Sequence, residues 1–160
     1  MSKVDLQEIE TKEIKWHGPF SWIGYENQNN LHKIPDIDGV YLWTFKYKDG
    51  YVVYCAGITK STRNRFRQHT LEYKSGNYTI FNIHKAEQGR RVEIWHGWSY
   101  AREHRDEFNE RKEEILNAVD KQLKSFRVFV AQVPEKRIKA RIESAVMHNI
   151  YSSNEPWAEL

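Results

Sequence analysis

Apolar and polar positions change rhythm several times along this chain, and each change marks an element. The densest stretch, GVYLWTFKYKDGYVVYCAG, holds two β runs around Asp49-Gly50, a strong hairpin signal. In the first run Tyr41, Trp43, Phe45 and Tyr47 alternate with Val40, Leu42 and Thr44. Both faces are apolar or aromatic, so the sheet is expected to be covered on both sides. A helix follows from about Ser61 to Tyr73, with Ser61 or Thr62 as N-cap and Phe66, Thr70 and Tyr73 as its buried stripe. Residues 74–89 read as loop and VEIWHGW as a short strand. The segment SYAREHRDEFNERKEEILNAVDKQL reads as one helix with Phe108, Ile115, Leu116, Val119 and Leu123 on its core side. SFRVFVAQV is rich in β-branched and aromatic residues and reads as a strand. Pro134 then opens a last helix, with Ile138, Ile142, Ala145, Val146, Asn149 and Ile150 facing the core. Upstream, HGPFSWIGYENQNN is punctuated by Gly18, Pro19 and Gly24. Residues 1–35 are therefore expected to be an irregular arm, pinned by Trp16, Phe20 and Trp22 onto a domain spanning 36–160.

Composition narrows the function classes. A chain of 160 residues suits one domain. A net charge of +3 is too mild to name a polyanion as partner, so local clustering carries that question. Cys55 is the one cysteine, which excludes an internal disulfide framework and a multi-cysteine zinc site. His84, His96 and His104 lack a zinc-ligand spacing. No apolar run is long enough for a membrane span, and the charged N-terminus lacks the apolar segment of a secretory signal. A soluble, cytoplasmic protein in a reducing compartment is the expectation.

Candidate chemistry begins at the first helix. Lys60, Arg63, Arg65 and Arg67 surround its N-terminus without an acidic residue among them. Cations there oppose the macrodipole, at about 0.3–1 kcal/mol each. Either they are tolerated on the surface, or an anion visits the helix start, and arginine suits phosphate. Arg65 and His69 lie one turn apart on one side. In the last helix Glu143 sits at the margin of the apolar face, where a carboxylate is costly unless compensated. It either pairs with a nearby Lys or Arg or is left free for a hard divalent cation. Arg90 with Arg91, and Lys136, Arg137, Lys139 and Arg141, form two further basic patches. Trp95 and Trp98 read more readily as core than as base-stacking groups.

Taken together, GVY at 39–41, CAG at 55–57, Arg65, His69 and the later Glu143 resemble the GIY-YIG nuclease superfamily. The resemblance is close over residues 39–69 and looser from residue 125 to Asn154, with 74–124 as an insertion. It matches Tyr41 and Gly57 to the GIY and YIG motifs, Arg65 and His69 to catalytic groups, and Glu143 to the metal-binding glutamate. Asn154 is set against the family's late asparagine. Cys55 stands where the second tyrosine is expected. Tyr54, adjacent to it, would face the other side of the sheet unless a bulge rotates it. Either that tyrosine is dispensable or this member is altered or inactive.

The fold that the resemblance implies is α+β: a three-stranded antiparallel sheet flanked by helices, with an extra helix inserted between the first helix and the third strand. The function it implies is metal-dependent hydrolysis of DNA phosphodiester bonds. Tyr41, Arg65, His69 and Glu143 would be catalytic, and Glu143 would hold magnesium, with manganese as the alternative. DNA would be gripped by Lys60, Arg63 and Arg67, and a homodimer or larger assembly would serve to cut both strands. A catalytically silent nucleic-acid-binding module of the same fold is the alternative, and a protein-interaction module with an aromatic arm is a third reading.

Overall fold

The computed structural model describes residues 13–152 and 158–159. The arm supplies strand β1 (His17–Phe20) and one helical turn, α1 (Glu26–Asn29). The hairpin follows as β2 (Gly39–Tyr47) and β3 (Gly50–Thr59), then helix α2 (Thr62–Lys74). Next comes an inserted region of β4 (Ile80–Phe81), α3 (Ile83–Ala86), β5 (Glu93–Trp95), α4 (Trp98–Glu103), α5 (Arg105–Glu110) and α6 (Lys112–Ser125). The described chain closes with β6 (Arg127–Gln132), α7 (Lys136–Ser152) and the two-residue β7 (Ala158–Glu159).

The class is α+β, but the sheet is larger than three strands. The order is β1-β6-β2-β3, every neighbour antiparallel, and β7 adds to the outer edge of β3. The extra strand comes from the arm, in the stretch expected to be loop. His17 pairs with Val130 and Phe20 with Val128, covering the backbone groups that β6 would otherwise leave open. Pro19 disguised this strand, since proline is tolerated only at a sheet edge.

The insertion is also more than one helix. It carries its own two-stranded sheet, β4 with β5, and the long helical pattern is broken into α4, α5 and α6. The breaks fall at His104 (φ −122°, ψ 43°) and Arg111 (φ −99°, ψ 13°). Each of these side chains bonds a backbone carbonyl: His104 Nδ1 that of Tyr100 at 2.8 Å, Arg111 that of Ile94 at 3.0 Å. Phe108, Ile115, Val119 and Leu123 are buried as the pattern requires, whereas Leu116 is only half-buried.

The core lies between the sheet and α2 with α6. Trp22 is fully buried there, with ring centroids 4.6 Å from Phe66, 5.1 Å from Trp43 and 5.3 Å from Phe126. The arm is thus anchored through Trp22, with Trp16 and Phe20 packed at the margin. Gln122, fully buried on α6, ties the insertion to α2. Its amide donates to Tyr73 Oη and Thr79 O, and its carbonyl accepts from Phe81 N at 2.7 Å. Helix α7 packs on β3 and β2. Ile138, Ile142 and Val146 are half-buried and Ile150 is buried, while Ala145 and Asn149 are exposed rather than facing the core. The apolar stripe of α7 is therefore narrower than its spacing implies. No helix among the described residues is long and apolar enough to cross a membrane.

Candidate functional site

Tyr41 on β2 pairs with Gly57 on β3, and its ring lies directly across that glycine. A Cβ at Gly57 would overlap the Tyr41 hydroxyl and ring carbons, so only glycine lets the tyrosine lie flat over β3. Helix α2 runs over the same face and turns His69 inward. Tyr41 Oη and His69 Nε2 are 2.8 Å apart, and His69 Nδ1 is 3.0 Å from Tyr78 Oη. Arg65, one turn earlier, is exposed and donates to Gln68 Oε1 at 3.1 Å. Glu143 approaches from α7. Tyr41, Arg65, His69 and Glu143 line one cleft of about 290 Å³, together with Tyr54, Cys55, Tyr78 and Trp98.

Burial sets the electrostatics. His69 is 5% exposed, and desolvation, followed by the positive Arg65, pulls its pKa down to about 3. The imidazole is neutral at physiological pH and can donate through one nitrogen and accept through the other. Tyr41 is pushed up to about 12 by desolvation, and Arg65 beside it offsets part of that rise. Cys55 is likewise pushed up to about 12, by burial first and then by the negative charge of Glu143. Glu143 makes no hydrogen bond or ion pair with another side chain among the described residues. The basic residue one turn before it on α7, Lys139, is instead buried against Asp38 and Thr59 O. Trp43 Nε1, in the cleft wall, is buried without a partner among the described residues.

A bulge decides where the second motif tyrosine would stand. Trp43 pairs with Cys55 and Thr44 with Val53, so Tyr54 is an extra residue in β3. Such an insertion turns two successive side chains to one side. Tyr54 and Cys55 accordingly both line the cleft. The Tyr54 ring centroid lies 5.0 Å from that of Phe81 and 6.4 Å from that of Trp43, and Cys55 feels the charge of Glu143.

At the start of α2 the chain supplies its own anion. Ser61 Oγ accepts from Asn64 N and donates to Asp36 Oδ1 at 2.7 Å, and the same carboxylate oxygen accepts from Arg63 N at 3.2 Å. These hydrogen bonds hold Asp36 below the usual carboxylate range, with smaller help from Arg63 and Arg67. The expected anion position at the helix N–H groups is thus filled. Lys60, Arg63 and Arg67 are exposed there, outside the cleft lining, while Arg65 alone of the four reaches the cleft. Asn154 lies outside the described residues.

Two contributors escaped the sequence, and a third reads more readily as core. Asp36 caps α2 from a loop whose reach nothing local announces. Tyr78 enters from a stretch that reads as plain loop. Trp98 was expected in the core, yet it is 61% exposed, while Trp95 is buried with Nε1 donating to Gly76 O. The signal for Trp98 was the preceding Gly97, whose hypothetical Cβ would strike the backbone of residues 77–79. That close approach drives Trp98 into a left-handed backbone, φ 61°, worth of order 1–3 kcal/mol of strain.

Among the described residues no three metal-ligating side chains converge. The cleft's donor for a hard cation is one carboxylate, Glu143. That fits a magnesium-sized ion, which keeps most of its waters and takes its remaining ligands from phosphate oxygens. No family model matches the chain, and no curated protein or solved structure matches it either.

Proposed function

We propose that this chain is a metal-dependent endonuclease of the GIY-YIG type, hydrolysing DNA phosphodiester bonds. The observation that carries the reading is the convergence of Tyr41, Arg65, His69 and Glu143, spread over about a hundred residues of sequence, on one cleft. Glu143 would hold a magnesium or manganese ion, which supplies Lewis-acid stabilisation of the phosphate oxygens, on the order of several kcal/mol. Arg65 donates to the nonbridging oxygens, where negative charge grows during attack. Tyr41 orients the attacking water. In the tautomer protonated at Nδ1, His69 donates to Tyr78 and accepts from Tyr41. The water's proton then passes to Tyr41 Oη as the tyrosine's own proton passes to His69 Nε2. The new P–O bond forms, the old ester bond breaks, and the leaving oxygen takes a proton from solvent. An imidazole near pKa 3 is a poor proton acceptor. Burial is the larger cause of that low value and Arg65 the smaller, so a phosphate lying against Arg65 relieves only part of the depression.

The silent nucleic-acid-binding module is favoured by one observation, the half-buried thiol of Cys55 where the family has a tyrosine. A nicking assay on supercoiled plasmid separates the two. Cleavage that requires magnesium or manganese, and is lost in both Glu143→Ala and Arg65→Ala, supports the enzyme. Binding without cleavage under either metal supports the silent module, and absence of binding at low salt overturns both.

A further inference from the structure

An exposed tryptophan held in a left-handed backbone at the lip of the cleft has no evident folding purpose. Trp98 is 61% exposed, so its ring contributes little to the core. Its position is imposed by the frame beneath it. Trp98 N donates to Asn77 O at 2.8 Å, Gly97 N donates to Thr79 Oγ1 at 3.0 Å, and Gly97 has no room for a side chain. Backbone strain that presents a side chain to solvent points toward a use for that side chain.

The surroundings say what it would meet. The Trp98 ring lies 5.3 Å from Tyr78, tilted by 32°, and Tyr78 is the residue bonded to His69. Trp98 and Tyr78 line two adjacent hollows. One is the cleft with Tyr41 and Glu143; the other, about 350 Å³, adds Glu72, Asn77 and Arg102. The second hollow thus pairs an aromatic wall with a carboxylate, an amide and a guanidinium. Asn77 Nδ2 already donates to Glu72 Oε2 at 2.7 Å and Arg102 spends one donor on Ser99 Oγ at 3.3 Å, so what the hollow leaves open is an aromatic face beside a guanidinium with donors to spare, and a flat ring carrying a phosphate matches both. Arg102 and Arg65 on either side suit the phosphates flanking such a ring. A base within an intact duplex has no free face to offer, so the ring must belong to an unpaired or extruded nucleotide.

We propose that Trp98, backed by Tyr78 and rimmed by Arg102, is a stacking site for one unpaired nucleobase beside the scissile phosphate. The chain therefore prefers DNA with an unpaired nucleotide next to the cut over fully paired duplex. This rests on the endonuclease reading for its orientation relative to the cut, but binding tests it separately.

The measurement is fluorescence anisotropy with a chelator present, comparing a labelled duplex that carries a short single-stranded gap with its fully paired counterpart. The wild-type chain, Trp98→Phe and Trp98→Gly are each titrated. Glycine accepts the left-handed backbone, so Trp98→Gly is expected to melt no lower than wild type, and Trp98→Phe supplies a second, conservative variant. Trp98→Gly should lose about ten-fold in affinity for gapped DNA, Trp98→Phe less, and neither should change duplex affinity more than about two-fold. Equal losses on both DNAs, no loss on gapped DNA, or no preference for the gap in wild type each overturn the proposal. Plasmid nicking is read in parallel with magnesium. Trp98-dependent gap binding without nicking removes the endonuclease reading and leaves the stacking site. Nicking with a Trp98→Gly variant that keeps its gap affinity does the reverse.

Discussion

Tyr41 and Gly57 share one space, and the site depends on the sharing. A methyl at residue 57 would displace the Tyr41 ring and break its contact with His69. Gly57→Ala should cost about 1–3 kcal/mol of stability and abolish plasmid nicking even where urea denaturation shows a folded chain. His69 makes a second prediction, with a definite sign. Its pKa is near 6.5 unfolded and about 3 folded. Below pH 6.5 the unfolded chain binds a proton that the folded chain refuses. Stability therefore falls as pH drops through that window, by up to about 1.4 kcal/mol per pH unit from this group, and is indifferent to it above. Urea midpoints for wild type and His69→Gln should converge from pH 7 toward pH 3; parallel curves would show that His69 is not buried neutral. Cys55 is held as a thiol by burial and by Glu143, with its pKa pushed up to about 12. Iodoacetamide at neutral pH should leave native protein unmodified and alkylate it once unfolded, because only the thiolate reacts.

Helix α2 shows how an element can carry function on one side and stability on another. Its N-terminus is closed by Ser61 and Asp36, so its arginines are released from serving the helix start. Ser61→Ala should lower stability by about 1 kcal/mol, read from the thermal midpoint, and leave nicking at a permissive temperature unchanged. The hairpin, α2, β6 and α7 were legible because each buries its face through local periodicity. The edge strand β1 was not, because Pro19 and Gly18 argue for loop and only the open edge of β6 makes pairing worthwhile. The breaks at His104 and Arg111 were invisible since the apolar spacing continues across them. The bulge at Tyr54 is a matter of register between two strands, which neither strand states alone. At the site, Tyr41, Arg65, His69 and Glu143 could be placed in order along the chain, but Tyr78 and Trp98 arrive through the folding of the insertion.

At the scale of the molecule, charge is spread thinly, and on the endonuclease reading proposed above that limits the grip on DNA. It has 25 basic and 22 acidic side chains. Several of the bases are spoken for: Lys139 by Asp38, Arg111 by Glu107 and Glu114, Arg91 by Glu93. Arg63 and Arg67 work partly against Asp36. The buried Lys139 removes the middle of the basic patch expected on α7, and Arg65 and Arg102 are the cations that line the two hollows. A grip of about two phosphates predicts a shallow salt dependence, with log K against log salt sloping at roughly −1.8 on duplex DNA. Arg65→Ala should flatten that slope by about 0.9 and weaken binding to all sequences alike. A steep slope would place the DNA on a broader basic surface away from the cleft. A slope near zero would mean that no phosphate is held, and the endonuclease reading would fall with it.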